Sequence, residues 1–205
     1  MMRDSDYQSK AVVELLAKTN HLLDLGGNKT VIFKAPTGSG KTVMMAQYLA
    51  QLVQSRTDGR QLAFIWTAPH QLHLQSKKKL EALYSESKAL TCVQFDDLTD
   101  ARIGPGAILF LNWESINKAD NVYIRDNERD FNLSAILQNT RDAGETIILI
   151  IDESHYASKT QTSQALVAMF EPQITVEVTA TPKTLTGDEL VTVQREDVIS
   201  EGMIK

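Results

Sequence analysis

The run TIILII at 146–151 is the clearest central strand in the chain, and a strand this apolar has to be buried. On both sides of it, short β-branched and aromatic runs alternate with stretches of helical spacing. Strands are expected at 30–35, 61–68, 90–95, 107–113, 146–151 and 174–180. Helices are expected at 8–25, 42–54, 70–86, 131–144 and 160–170, the first stopped by Gly26 and Gly27. This alternation implies crossover units. The chain therefore reads as α/β, with three layers and a parallel sheet carrying helices on both faces. Ligands in such sheets sit at the carboxyl ends of strands. The clusters described next each follow an expected strand directly, which lines them up along one edge.

The first cluster is APTGSGKT, residues 35–42, between the strand at 30–35 and the helix at 42–54. It matches the phosphate-loop pattern, with Ala35 where glycine usually opens it. Gly38 and Gly40 permit backbone angles and a close approach that a side chain would block. Backbone N–H groups of the loop, including those of Thr37 and Ser39, and the start of the next helix then face anionic oxygens. Lys41 adds positive charge for the outer phosphates, and the Thr42 hydroxyl is a ligand for Mg²⁺. By themselves these residues predict a site for phosphate groups with Mg²⁺, which becomes a site for ATP with Mg²⁺ only together with the acidic strand end described next.

The second cluster closes the strongest strand, as IILIIDESH at 147–155. Asp152 and Glu153 emerge at the sheet edge after five apolar residues. Asp152 is expected to hold Mg²⁺ opposite Thr42, and Glu153 to orient and activate the water that attacks the γ-phosphate. His70 and His73 stand three apart on an expected helix. No third and fourth metal ligand accompanies them, so a zinc-type site is not expected.

Bulk properties narrow the class. The formal net charge of −5 argues against a protein that coats nucleic acid without specificity. Lys77, Lys78 and Lys79 are the only basic cluster, on an expected helix face. The single Cys92 fits a reducing cytoplasm. No apolar run approaches the ~20 residues that cross a bilayer. There is no internal repeat, and an LSGGQ-like transporter signature is missing before the acidic strand.

APTGSGKT, DESH (152–155) and VTATP (178–182), in this order, resemble motifs I, II and III of superfamily 2 helicases and translocases, DESH being a variant of the DEAD/DEAH box. TAPHQLHLQS (67–76) sits where motif Ia sits, and DYQSKAV (6–12) resembles the upstream adenine-reading motif. LFLNWESINK (109–118) is similar to the helicase subunits of type III restriction enzymes. The resemblance implies a RecA-like lobe over 1–182 and a tail at 183–205 leading toward a second lobe that this chain lacks. It implies that Gln8 reads adenine and that His155, Thr179 and Thr181 couple the nucleotide site to the track. Pro69 and His70 would touch the phosphate backbone of bound DNA, single- or double-stranded. It also admits a methylation or specificity subunit as a further partner. Ser154 replaces the alanine usual in DEAH proteins, and TATP departs from the Ser-Ala-Thr of the DEAD-box RNA branch.

Twenty-odd residues after VTATP cannot form a second parallel sheet, so the chain alone is expected to bind ATP and to hydrolyse it slowly or not at all. The alternative from another class is a standalone ATP-binding module or switch without motor activity.

Overall fold

A computed structural model describes residues 5–98, 100–116, 132–155, 161–182 and 186–204, with only the backbone described at 161–163. Seven strands form one sheet in the order β3-β4-β2-β5-β6-β1-β7, every neighbouring pair parallel. They are β1 Lys29–Lys34, β2 Gln61–Ala68, β3 Thr91–Val93, β4 Ala107–Asn112, β5 Glu145–Asp152, β6 Ile174–Thr179 and β7 Glu189–Thr192. The helices are α1 Asp6–Leu25, α2 Lys41–Ser55, α3 Leu72–Tyr84, α4 Trp113–Ile116, α5 Leu133–Asp142, α6 Gln161–Phe170 and α7 Arg195–Ser200.

Period-two burial makes the three layers. On β2, Leu62, Phe64 and Trp66 join one core while Ala63 and Ile65 join the other. On β5, Ile148 and Ile150 face the first core, and Ile147, Leu149 and Ile151 the second. Leu15 and Leu23 of α1, Met44 and Leu49 of α2, and Leu80 of α3 cover the first face. Leu133 and Leu137 of α5 and Phe170 of α6 cover the second. The sheet is thus sealed on both sides, and its carboxyl edge is where side chains reach solvent.

Two expectations change. The strand expected at 90–95 shortens to β3, because Phe95–Asp97 wind into a 3₁₀ turn. Gln94 caps that turn: its backbone N–H donates to Asp97 Oδ2 at 2.7 Å. The stretch after Thr181, more polar and without a strong helix signal, contains both β7 and α7. β7 pairs with β1, matching Phe33 to Val191, and Val191 is fully buried. Four residues carry little strand signal alone; the free edge of β1 orders them, a tertiary effect. Gly202, at φ 73°, terminates α7, with Met203 N–H donating to Val198 O (3.1 Å) and Gly202 N–H to Ile199 O (2.9 Å). The expected helices at 131–144 and 160–170 start on residues outside those described, as do residues 117 and 118 of LFLNWESINK.

Phe33 sits wholly buried at the centre of β1, between β6 and β7. Phe33→Ala is expected to cost about 3–5 kcal/mol. Thermal melting checks this, at about 2–4 °C of Tm per kcal/mol for a chain of this size. A Tm within 2 °C of the parent would contradict the packing described.

Candidate nucleotide site

Strand order assembles the site. β6 lies between β1 and β5, so the loop leaving β1 and the acidic end of β5 are separated by a single strand. Val178 of β6 aligns with Asp152, and Thr179 with Lys34.

The loop from Ala35 to Gly40 is shaped by two left-handed glycines. Gly38 has φ 85° and Gly40 φ 83°, conformations that L side chains rarely adopt. Close neighbours add a second demand. A Cβ on Gly40 would lie 2.5 Å from Gln8 Nε2, and one on Gly38 2.7 Å from Ile204 Cγ2. Gly40 is the N-cap of α2 and offers no side-chain cap, so the helix start presents N–H groups and its positive dipole end to an anion. Lys41 Nζ has long contacts, 3.4 Å to Ala35 O and 3.8 Å to Glu153 Oε1. Thr42 follows within the first turn of α2. Thr37 and Ser39 lie in the loop itself, Ser39 fully buried.

Gln8 and Tyr7 brace this loop from the first turn of α1. The Tyr7 hydroxyl donates to Ser39 O at 2.8 Å, and Gln8 Nε2 donates to Ser39 O at 3.0 Å and to the Tyr7 hydroxyl at 3.2 Å. Gln8 is only 5% exposed.

At the acidic edge, Asp152 accepts from Glu153 N–H (3.0 Å) and from the Ser76 hydroxyl (3.3 Å). Burial, and then the charge of Glu153, push its carboxyl up to about 6; the Glu153 N–H, Lys41 and Ser76 oppose the shift. Glu153 has φ 51°, a left-handed backbone rare outside glycine that turns the chain sharply off the strand. His155 Nδ1 lies 3.3 Å from Glu153 Oε2 and 3.3 Å from Thr179 Oγ1. Thr181 N–H donates to the same Thr179 oxygen at 3.2 Å. Of the three residues expected to couple, Thr179 thus contacts each of the other two.

Pro69 and His70 follow β2, three strands along the edge from β1, about 14 Å at ordinary strand spacing. His70 also has positive φ, 53°. Its carbonyl accepts from Asn112 Nδ2 (2.7 Å), and its ring meets Glu114 at 3.1 Å. His73 is half-buried and burial lowers its basicity.

The residues fit a nucleotide and its metal. Among the described residues no group of three or more His, Cys, Asp and Glu gathers to hold a metal alone. Mg²⁺ seldom needs such a cage, because it keeps waters and shares phosphate oxygens. Asp152, whose charge burial disfavours, is a carboxylate that a cation would relieve. A cavity of about 570 Å³ opens beside the loop, lined by Lys34, Thr37, Thr181, Gln194, Arg195 and Ile204 among others.

The sequence reading overlooked Tyr7, Ser76 and the residues around Ile204. Tyr7 stands inside DYQSKAV, where its neighbour drew the attention. Ser76 gave no signal.

A family model described as type III restriction enzyme, res subunit, matches residues 1–184. No curated protein matches the chain significantly. Among solved structures, a nuclease-deletion mutant of the Type ISP restriction-modification enzyme LlaGI, in complex with a DNA substrate mimic, aligns with TM-score 0.60 and 15% identity, over 98% of this chain and 21% of that one. The UvsW helicase from bacteriophage T4 aligns with TM-score 0.53 and 12% identity, over 94% of this chain and 61% of that one. At these identities the two structures establish the fold. The chain spans less than two thirds of either. Among the described residues no helix is long and apolar enough to cross a membrane.

Asp152 sets a pH signature. Its folded-state pKa of about 6 stands above the ordinary 3.8, so the folded protein holds this proton more tightly than the unfolded chain does. The charged form costs stability above pH 6, and the cost disappears as pH falls toward 4. Asp152→Asn is expected to stabilise the metal-free protein at pH 7–8 by on the order of 2 kcal/mol, with the gain fading toward pH 4. Melting from pH 4 to 8 checks it. A gain independent of pH would refute the assignment.

Proposed function

The chain belongs to the family described as the type III restriction enzyme res subunit, and from that we propose that it is the ATP-binding lobe of an ATP-dependent DNA helicase or translocase of restriction type. One observation supports the reading above the others. The cation of the loop and the carboxylate of the acidic strand end meet over β6, with Lys41 Nζ 3.8 Å from Glu153 Oε1.

In this reading the N–H groups of Thr37, Gly38, Ser39 and Gly40 and the start of α2 cradle the phosphates, and Lys41 pairs with the outer ones. Thr42 and Asp152 would hold Mg²⁺, which would supply charge neutralisation for the phosphates. Glu153 orients the attacking water and accepts its proton. His155, already against Glu153, passes the state of that carboxylate to Thr179 and Thr181. Gln8 spends its amide N–H groups on the loop, which leaves Oε1 to accept from an adenine amino group. Pro69 and His70 contact DNA backbone farther along the same edge. The DNA substrate mimic in the LlaGI complex supports DNA as the track. A second RecA-like lobe supplies the transition-state arginines, worth about 10³ to 10⁵ in rate in related phosphate-loop enzymes. A methylation or specificity subunit belongs to the same proposal.

Lys41→Ala is expected to weaken MgATP binding at least tenfold, about 1.4 kcal/mol, measured by calorimetry on the 205-residue chain. ATPase of this chain is expected to stay slow with or without DNA. Strong DNA-stimulated turnover that Lys41→Ala removes would overturn the need for a second lobe. Unchanged MgATP binding in Lys41→Ala would overturn the nucleotide reading itself. Binding that never leads to turnover, even with a second lobe supplied, would favour a module without motor activity.

A further inference from the structure

The segment after β7 reaches back to the phosphate loop by two contacts and a shared cavity. Glu201 Oε1 accepts the backbone N–H of Tyr7 at 3.2 Å. That N–H lies in the first turn of α1, where helix donors have no internal partner, and Ser5 at the N-cap makes no side-chain bond. Glu201 thus caps a 20-residue helix from 194 residues away in sequence, with a charge that suits the helix's positive end. Next, the left-handed stop at Gly202 returns the chain so that Ile204 packs on Gly38, the close approach already noted. The third element is the cavity, which Gln194, Arg195 and Ile204 line together with Thr37 and Thr181.

Between them these contacts hold the loop at two residues, Ser39 and Gly38. Tyr7 and Gln8 grip Ser39 O, Ile204 covers Gly38, and Glu201 fixes the helix end that carries Tyr7 and Gln8. Buried Val198, at 0% exposure and part of the main core cluster, anchors α7 itself.

We propose that Glu201 and Ile204 are positioning residues of the nucleotide site, forming with Tyr7 and Gln8 a two-sided clamp that pre-shapes the phosphate loop for a nucleoside diphosphate or triphosphate. This rests on the nucleotide reading given above. The clamp works by preorganisation: a loop already held with its N–H groups converging loses less freedom when an anion arrives. It also ties the nucleotide site to the segment after the last strand, so movement of α7 and occupancy of the loop are linked equilibria.

The test is MgADP binding by titration calorimetry on the 205-residue chain, at a temperature where melting shows every variant folded. Glu201→Ala is expected to weaken binding by about threefold to tenfold, the equivalent of one hydrogen bond. Glu201→Gln keeps an acceptor oxygen and is expected to stay within about twofold of the parent. Ile204→Ala reports on the other side of the clamp without touching the α1 cap, and should weaken binding as well. Tyr7→Phe removes one grip on Ser39 O, and its effect should be less than additive with that of Glu201→Ala, because both act through one contact chain. A merely structural Glu201 would lower Tm and leave the MgADP Kd of the folded protein unchanged; that result overturns the proposal. Tighter binding in Glu201→Ala also overturns it, since the segment would then restrain the loop against nucleotide. Lys41→Ala separates the two levels. If it binds MgADP like the parent, the nucleotide reading falls and the clamp with it. If Lys41→Ala fails to bind while Glu201→Ala and Ile204→Ala bind normally, the clamp alone falls.

Discussion

Everything at the carboxyl edge depends on one feature of the sheet: β6 is inserted between β1 and β5. A parallel sheet sends each strand's end to the same side, and its crossovers must run through helices on the faces. Strand order then decides which ends become neighbours. Here the loop after β1 and the acidic end of β5 are one strand apart, near enough for Lys41 and Glu153 to sit at 3.8 Å. Both are also tied to β6, since Ala35 N–H donates to Thr179 O and Ser154 N–H to Val178 O. The middle strand therefore sets the width of the site, and the Thr179 hydroxyl meets His155 after β5 and the Thr181 N–H of its own following loop.

The edge is built against its own stability. Asp152 is buried where its charge is disfavoured, beside a second carboxylate. Among the described residues five non-glycine positions have positive φ, and two of them, His70 and Glu153, directly follow or nearly follow strands at this edge. Such backbone costs of order 1 kcal/mol or more and persists only where surrounding structure over-determines it. The cores on either side of the sheet supply that determination, with β5 burying Ile147 to Ile151 between them. In the proposed nucleotide site a bound cation would relieve that unfavourable charge.

What could be read from the residues was what is local. APTGSGKT and IILIIDESH each keep their whole signal within nine residues or fewer, and the structure brings Lys41 and Glu153 together at their expected edge. The layers were legible too, because buried parallel strands and helical spacing announce themselves in short windows. Apart from the local 3₁₀ turn that shortens β3, the misses are contacts at long range. Ser76 meets Asp152 across 76 residues, Tyr7 meets Ser39 across 32, and Glu201 meets Tyr7 across 194. No spacing rule encodes such pairs, because either partner alone is an ordinary polar residue. β7 is the same case at the level of an element: ELVT becomes a strand only because β1 offers an unpaired edge.

Those long-range contacts change how the motifs are joined. By sequence, DYQSKAV, APTGSGKT and the last residues are three separate segments. In the fold they are one assembly, with the Ser39 carbonyl at its centre accepting from Tyr7 and Gln8 and with Ile204 over Gly38. The TAPHQLHLQS segment joins at the other end through Ser76 and Asp152. α3 therefore links the edge where Pro69 and His70 stand to the carboxylate that a metal would meet. Pairwise contacts run from α3 to Asp152, from Glu153 to His155 and on to Thr179, and from Ser39 through Tyr7 to Glu201. Each link is a single hydrogen bond of modest net strength.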